Sequence, residues 1–163
     1  RPVNHPAIRI LQIVDLVYDN FESSLFNNIL RLFSFKAETF NIKDFRKKLY
    51  STFQIKSELL PEKYTLGKTR IDTILINIIL PLVVIYAREK SYKELEHAAM
   101  KVYKEFHGLP ENYITQYMSK FMNAPQKSIF KKKAIYQQGV LKLYFDNCQH
   151  HACEACEELV KKK

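Results

Sequence analysis

Three cysteines, Cys148, Cys153 and Cys156, fall within nine residues as Cys-x4-Cys-x2-Cys, with His150 and His151 between the first two. Thiolates this close in sequence can wrap one ion without a large fold to gather them, which is the chemistry of a tetrahedral zinc site. Cys148, Cys153 and Cys156 would supply three sulfurs, and His151 or its neighbour His150 the fourth ligand. A shell closed by four protein ligands is structural, so the expected role is a knuckle over residues 148–156 that pins the tail to the preceding helix. An iron–sulfur cluster is the second option, but its ligand set needs a fourth cysteine and the sequence holds three. Inert, buried thiols are the plain alternative. Cysteines odd in number and gathered in one spot fit reduced thiols or a metal better than a disulfide framework, and lead us to expect a cytoplasmic protein.

The second chemical signal is charge. The 163 residues include 26 Lys and Arg against 17 Asp and Glu, a net charge of +9, which favours anionic partners. Arg46, Lys47 and Lys48, then Lys131, Lys132 and Lys133, then Lys161 to Lys163, with Lys68 and Arg70, form a phosphate-binding surface for DNA or RNA if the fold gathers them. Charge runs are otherwise ordinary solvated faces. For catalysis the sequence offers no glycine-rich phosphate loop, nucleophile elbow or His-Glu-x2-His helix, and no catalytic residue is assigned.

The elements that must position these groups read as helices throughout. Hydrophobic residues make up 47% of the chain, and three glycines are too few for the turns of an all-β domain. Helices are expected from Pro6 to about Asp19, with Ile10, Ile13, Val14 and Val17 on one buried face; from Ser23-Ser24 to about Ser34; and from an Asn41 cap, burying Phe45 and Leu49. A capping box from Thr69 to Asp72 opens the most apolar stretch, Ile71 to Tyr86. Asn77 and Pro81 break that stretch short of the roughly 18 residues of a membrane span, so it reads as a central buried helix kinked at Pro81 rather than a membrane segment. A Ser91–Glu94 capping box opens the next helix, which buries Leu95, Ala98, Ala99, Val102 and Phe106, runs to about His107 and ends at Gly108. Another spans Asn112 to about Met122 with Tyr117 and Phe121 in the core. The last starts between Ser128 and Lys133 and delivers Cys148 at its end. The expected fold is all-α, a single helical domain over 1–163 with about seven helices. Arg1, Asn4, Arg9 and Gln12 are read first as hydrogen-bonding anchors of the first segment and otherwise as contacts to a further domain, and Asn77 as a buried bridge to a neighbour, because interior polar groups must be paired.

With the elements placed, three strings carry a resemblance. Arg1-Pro2-x-Asn4-x-Pro6-x-Ile8-Arg9 with Gln12, Ile76-Asn77-x2-Leu80-Pro81 with Tyr86-Ala87, and Gln138-x2-Leu141-x-Leu143 followed by the cysteine run resemble the C-terminal part of a bacterial family, domain of unknown function 2851. The resemblance implies a fragment of a longer protein, preceded by a portion whose acidic and histidine-bearing strands look like a nuclease core. It supplies no catalytic residue. The expected function is a non-catalytic helical accessory domain beside that portion, gripping nucleic-acid backbone with its basic surface. The alternative is a structural or protein-docking module, favoured by a broad exposed apolar patch. An enzymatic reading stands third.

Overall fold

Apolar residues recurring at three- and four-residue spacing become helices in the computed structural model, which describes residues 6–19, 24–35, 39–54 and 65–150. Among these, eight helices follow one another: α1 (Pro6–Asp19), α2 (Leu25–Leu32), α3 (Ile42–Phe53), α4 (Lys68–Glu89), α5 (Lys93–Glu105), α6 (Tyr113–Ser119), α7 (Ala124–Lys132) and α8 (Ala134–Asp146). The fold is all-α; a single antiparallel bridge, His107 to Lys133, is the one β-type pairing among the described residues. The chain divides into two compact units, Arg1–Val102 and Tyr103–Lys163, with the division inside α5.

In the first unit α2 packs on α3 and α3 on α4. Asn41 starts α3 as expected, its side chain accepting from the Lys43 amide at 2.8 Å. Phe45, Leu49 and Phe53, four residues apart, form the buried face. Ser24 stands at the N-cap of α2 without a side-chain cap bond, its carbonyl taking the Asn28 amide instead.

The rod α4 is buried along one face only. Ile71, Leu75, Ile76, Ile79, Leu80, Val83 and Ala87 are inside, as expected of the central helix, whereas Ile78, Leu82 and Ile85 face solvent. The distortion expected at Pro81 is a single π turn, Leu75–Ile79, in which the Leu80 amide donates five residues back to Leu75. This widened turn gives the proline ring room past the Asn77 carbonyl, the group it would otherwise crowd. Asn77 lies on the exposed side, so its side chain is not buried as the sequence suggested.

Ser91 also has a different job from the one its spacing implied. It sits in the left-handed region with φ 55° and closes the end of α4. Its amide donates to Arg88 at 3.1 Å, and that of Tyr92 to Ala87 at 2.7 Å. This is a Schellman motif, with the Tyr92 ring 6.2 Å from that of Tyr86 as its apolar contact. The helix it precedes, α5, buries Ala98, Ala99 and Val102 as read from the sequence.

In the second unit the chain leaves α5 at Phe106, which is fully buried, and lies against the junction of α7 and α8. Ala134 donates its amide to Phe106 at 3.1 Å and Gly108 donates to Lys132 at 3.0 Å. The buried Gln137 amide group clamps Leu109 from both sides, accepting from its N–H at 2.6 Å and donating to its carbonyl at 2.8 Å. Gly108 is therefore a close-approach glycine and not a helix end: a Cβ there would stand 2.1 Å from the Lys131 carbonyl oxygen. The expected last helix is two. Asn123 and Gln126 form a capping box with Pro125 in the first turn, which opens α7, and an extended Lys133 separates it from α8. The core here is Thr115, Met118, Phe130 and Ala134. Tyr117 and Phe121, expected inside, are exposed, because the buried face of α6 runs through Thr115 and Met118.

Candidate anion-binding surface and cysteine-rich end

Asp72 organises the contact between α3 and α4. It lies one turn inside α4, whose N-cap is Gly67, so it is a buried carboxylate and not a capping-box residue. Tyr50 donates its hydroxyl to the two Asp72 oxygens at 2.8 and 3.0 Å, and Arg46 Nη2 lies 3.1 Å from Oδ2. Arg46 Nε also donates to the Tyr50 hydroxyl at 2.9 Å. Burial, followed by the bond to Asp72 and its negative charge, raises the Tyr50 phenol above its usual value near 10, with Arg46 acting in the opposite sense. The Arg46 guanidinium carbon is 5.4 Å and the Lys68 ammonium 5.5 Å from the Tyr50 ring centre, so two cations are held by one aromatic ring.

Further basic residues of the first unit sit on α3 and α4. Lys47 and Lys48 are exposed on α3. Arg70 Nη1 donates to Gln12 Oε1 at 3.1 Å, and Gln12 Nε2 to the Thr65 carbonyl at 3.4 Å. Gln12 thus makes internal hydrogen bonds, while Arg9 is exposed; Arg1 and Asn4 lie outside the described residues. In the second unit Lys131 pairs with Glu111 at 3.4 Å, Lys133 donates to the Glu105 carbonyl at 3.2 Å, and Lys132 is exposed. Lys161 to Lys163 lie outside the described residues. The structure thus joins Arg46 and Lys68 through Tyr50, with Arg46 and Tyr50 both bonded to Asp72, while Arg70 donates to Gln12. The signal available was Arg46 and Tyr50 at i, i+4 on one helix.

α1 is turned the other way from expectation. Ile8, Gln12 and Asp15 face inward, with Gln12 and Asp15 only 5% and 8% exposed, whereas Ile10 and Ile13 are each 62% and Val17 55% exposed. The apolar stripe that was to seal the core is on the surface. At 22 residues, α4 is also long and apolar enough to cross a membrane by length and composition, more than the interrupted stretch had suggested; a core helix passes the same test, and its buried face carries Asp72.

At the cysteine-rich end, α8 is followed by a short 3-10 turn, Cys148–His150. Cys148 is half-buried and His150 exposed. Cys153, Cys156 and His151 lie outside the described residues, and no group of three or more His, Cys, Asp or Glu side chains able to hold a metal occurs among those described.

Fold and surface together define an all-α protein with a buried acidic node under a basic surface. Residues 1–112 match the model of a family described as protein of unknown function (DUF2851), and the chain belongs to that family. The match covers the first unit and stops at Asn112, the residue before α6, so the cysteine run lies beyond it. No curated protein and no solved structure matches the chain.

Proposed function

We propose that this chain is a non-catalytic helical module that docks, through the outward face of α1, against another part of its own polypeptide. The inverted burial of α1 carries the reading: two polar side chains are inside while Ile10, Ile13 and Val17 stand in solvent. Full burial of one such aliphatic side chain is worth about 1.5–3 kcal/mol, so a stripe of them left outside marks a surface that another body covers. The resemblance points to the occupant, the N-terminal, nuclease-like portion it implies. In a co-expression assay of that portion with this chain, Ile13→Glu combined with Val17→Glu should weaken association at least tenfold while helix content by circular dichroism is unchanged. Unaltered association would overturn the reading.

A second reading, contact with nucleic-acid backbone, is favoured by the exposed Lys47 and Lys48 of α3, the helix whose Tyr50 ring also holds Lys68. Lys131 and Lys133 have partners within the second unit, so the test belongs on α3. Affinity for generic duplex DNA should fall with salt, and Lys47→Glu with Lys48→Glu should flatten the log–log slope by about two. A slope that ignores both charges removes this role. For the tail, the reading is a structural zinc held by Cys148, Cys153, Cys156 and His151; native mass spectrometry should find one zinc per chain, and metal-free protein purified without chelator would end it.

A further inference from the structure

The second unit carries a chain of aromatic rings on its outside. Tyr113, Tyr117 and Phe121 recur every four residues along α6 and the turn after it, so they share one face. Tyr113 and Phe121 are 78% and 71% exposed. The Tyr117 ring touches Phe121 at 5.3 Å and Tyr144 of α8 at 6.0 Å, and Tyr144 touches Phe145 at 5.5 Å, all edge to face. Edge-to-face contact is the ordinary preference of ring pairs; what sets this chain of rings apart is that Phe121 and Phe145 remain open to solvent. We propose that this ring chain is a stacking platform for single-stranded nucleic acid. The inference rests on the nucleic-acid reading above and assigns it a strand type and a second surface.

Charge selects the occupant. Residues 103–150 contain seven lysines, no arginine and three carboxylates. Two of those carboxylates, Glu111 and Asp146, are already paired with Lys131 and Lys142, which leaves the unit positive. Lys120 is exposed in the turn between Tyr117 and Phe121, where a phosphate would lie beside a stacked base. A protein partner fits less well, because protein interfaces favour arginine and are depleted in lysine. A duplex fits less well too: its bases are stacked on each other, whereas an unpaired base has a free π face for any ring of this kind. Stacking on rings with lysines along the backbone is the common design of sequence-tolerant single-strand binders.

The test is fluorescence anisotropy of labelled oligo(dT) and oligo(U), each against a duplex of equal length, with the whole chain at low salt. Single strands should bind more tightly than duplex and quench the tyrosine emission, which is readable because the chain has no tryptophan. Phe121→Leu keeps the apolar bulk and removes the π face; it should weaken single-strand binding about fivefold or more, and Phe121→Tyr should retain it. Phe121 is exposed, so neither change threatens the fold. Equal affinity for single strand and duplex, or indifference to Phe121→Leu, would overturn the platform while leaving the α3–α4 backbone contact standing. Absence of binding to any oligonucleotide would overturn both. Loss of self-association or of a protein contact in Phe121→Leu, with nucleic-acid binding unchanged, would reassign the ring chain to a protein interface.

Discussion

Asp72 determines what its neighbours do. A carboxylate this deeply buried is tolerated because Tyr50 and Arg46 satisfy both oxygens. Arg46 is partly exposed and Asp72 keeps its bonds to Tyr50 without it, so Arg46→Ala should cost about 1.5 kcal/mol of unfolding free energy, the worth of a hydrogen bond to a charged group. Lys47→Ala, next in sequence but exposed, should change stability by less than about 0.5 kcal/mol. Urea denaturation of the two variants checks the contrast. Tyr50 adds a pH dependence. Its phenol holds the proton more tightly in the folded state than in the unfolded chain, where it titrates near 10. Its contribution to stability is therefore complete below that value and is lost as pH rises through the higher folded value. Thermal melts taken from neutral pH to beyond 10 should decline at the alkaline end, and Tyr50→Phe should reduce the decline. Some should remain, because burial raises Tyr103 in the same sense. Sequence spacing made Arg46 legible as a basic surface residue but not as the partner of Asp72, since the two are 26 positions apart and only the packing of α3 on α4 joins them.

At the scale of elements, the ends of helices carry more information than their middles. Ser91 occupies a left-handed conformation at φ 55°, where a Cβ is strained and glycine is not. Ser91→Gly should therefore raise stability by about 1 kcal/mol, measurable as a higher melting temperature. Gly108 is the reverse case: the backbone of Lys131 occupies the space of any side chain, so Gly108→Ala should destabilise by about 2 kcal/mol or more, as backbone clashes in a packed site do. Both positions were read from spacing as helix signals, Ser91 as a start and Gly108 as a stop. Local patterns do not distinguish a serine that opens one helix from a serine that closes the preceding one. The Asn123–Gln126 capping box, by contrast, was present in the sequence as Asn-x2-Gln and explains why the final helix begins earlier and is interrupted at Lys133.

Across the molecule, the surfaces proposed for different partners use different side chains and can be separated by mutation. The outward stripe of α1 is aliphatic, the α3–α4 surface is cationic, and the second unit adds exposed rings. Charge reversal at Lys47 and Lys48 should alter the salt dependence of nucleic-acid binding and leave docking through Ile13 and Val17 intact. The converse should hold for Ile13→Glu with Val17→Glu, when both readouts are taken on the same preparations. Coupled loss in either direction would mean that the two surfaces serve one partner. A net charge of +9 disfavours association of like copies at low salt, so any self-association that Ile13→Glu with Val17→Glu abolishes should strengthen as salt is added.

The residues alone determined that this chain is helical, where α1, α3 and α5 lie, which family it belongs to, and that Phe45, Leu49, Ala99 and Val102 would be buried. Helical periodicity and the scarcity of glycine suffice for that, because both act within a few residues of the chain. Only the tertiary structure decided which way α1 and α6 turned. Periodicity identifies side chains that share a side of a helix, but not what that side meets. For α1 the buried side is the one with Gln12 and Asp15, since Gln12 finds Arg70 and the Thr65 carbonyl there. For α6 it is the side with Thr115 and Met118, which leaves the aromatic stripe in solvent.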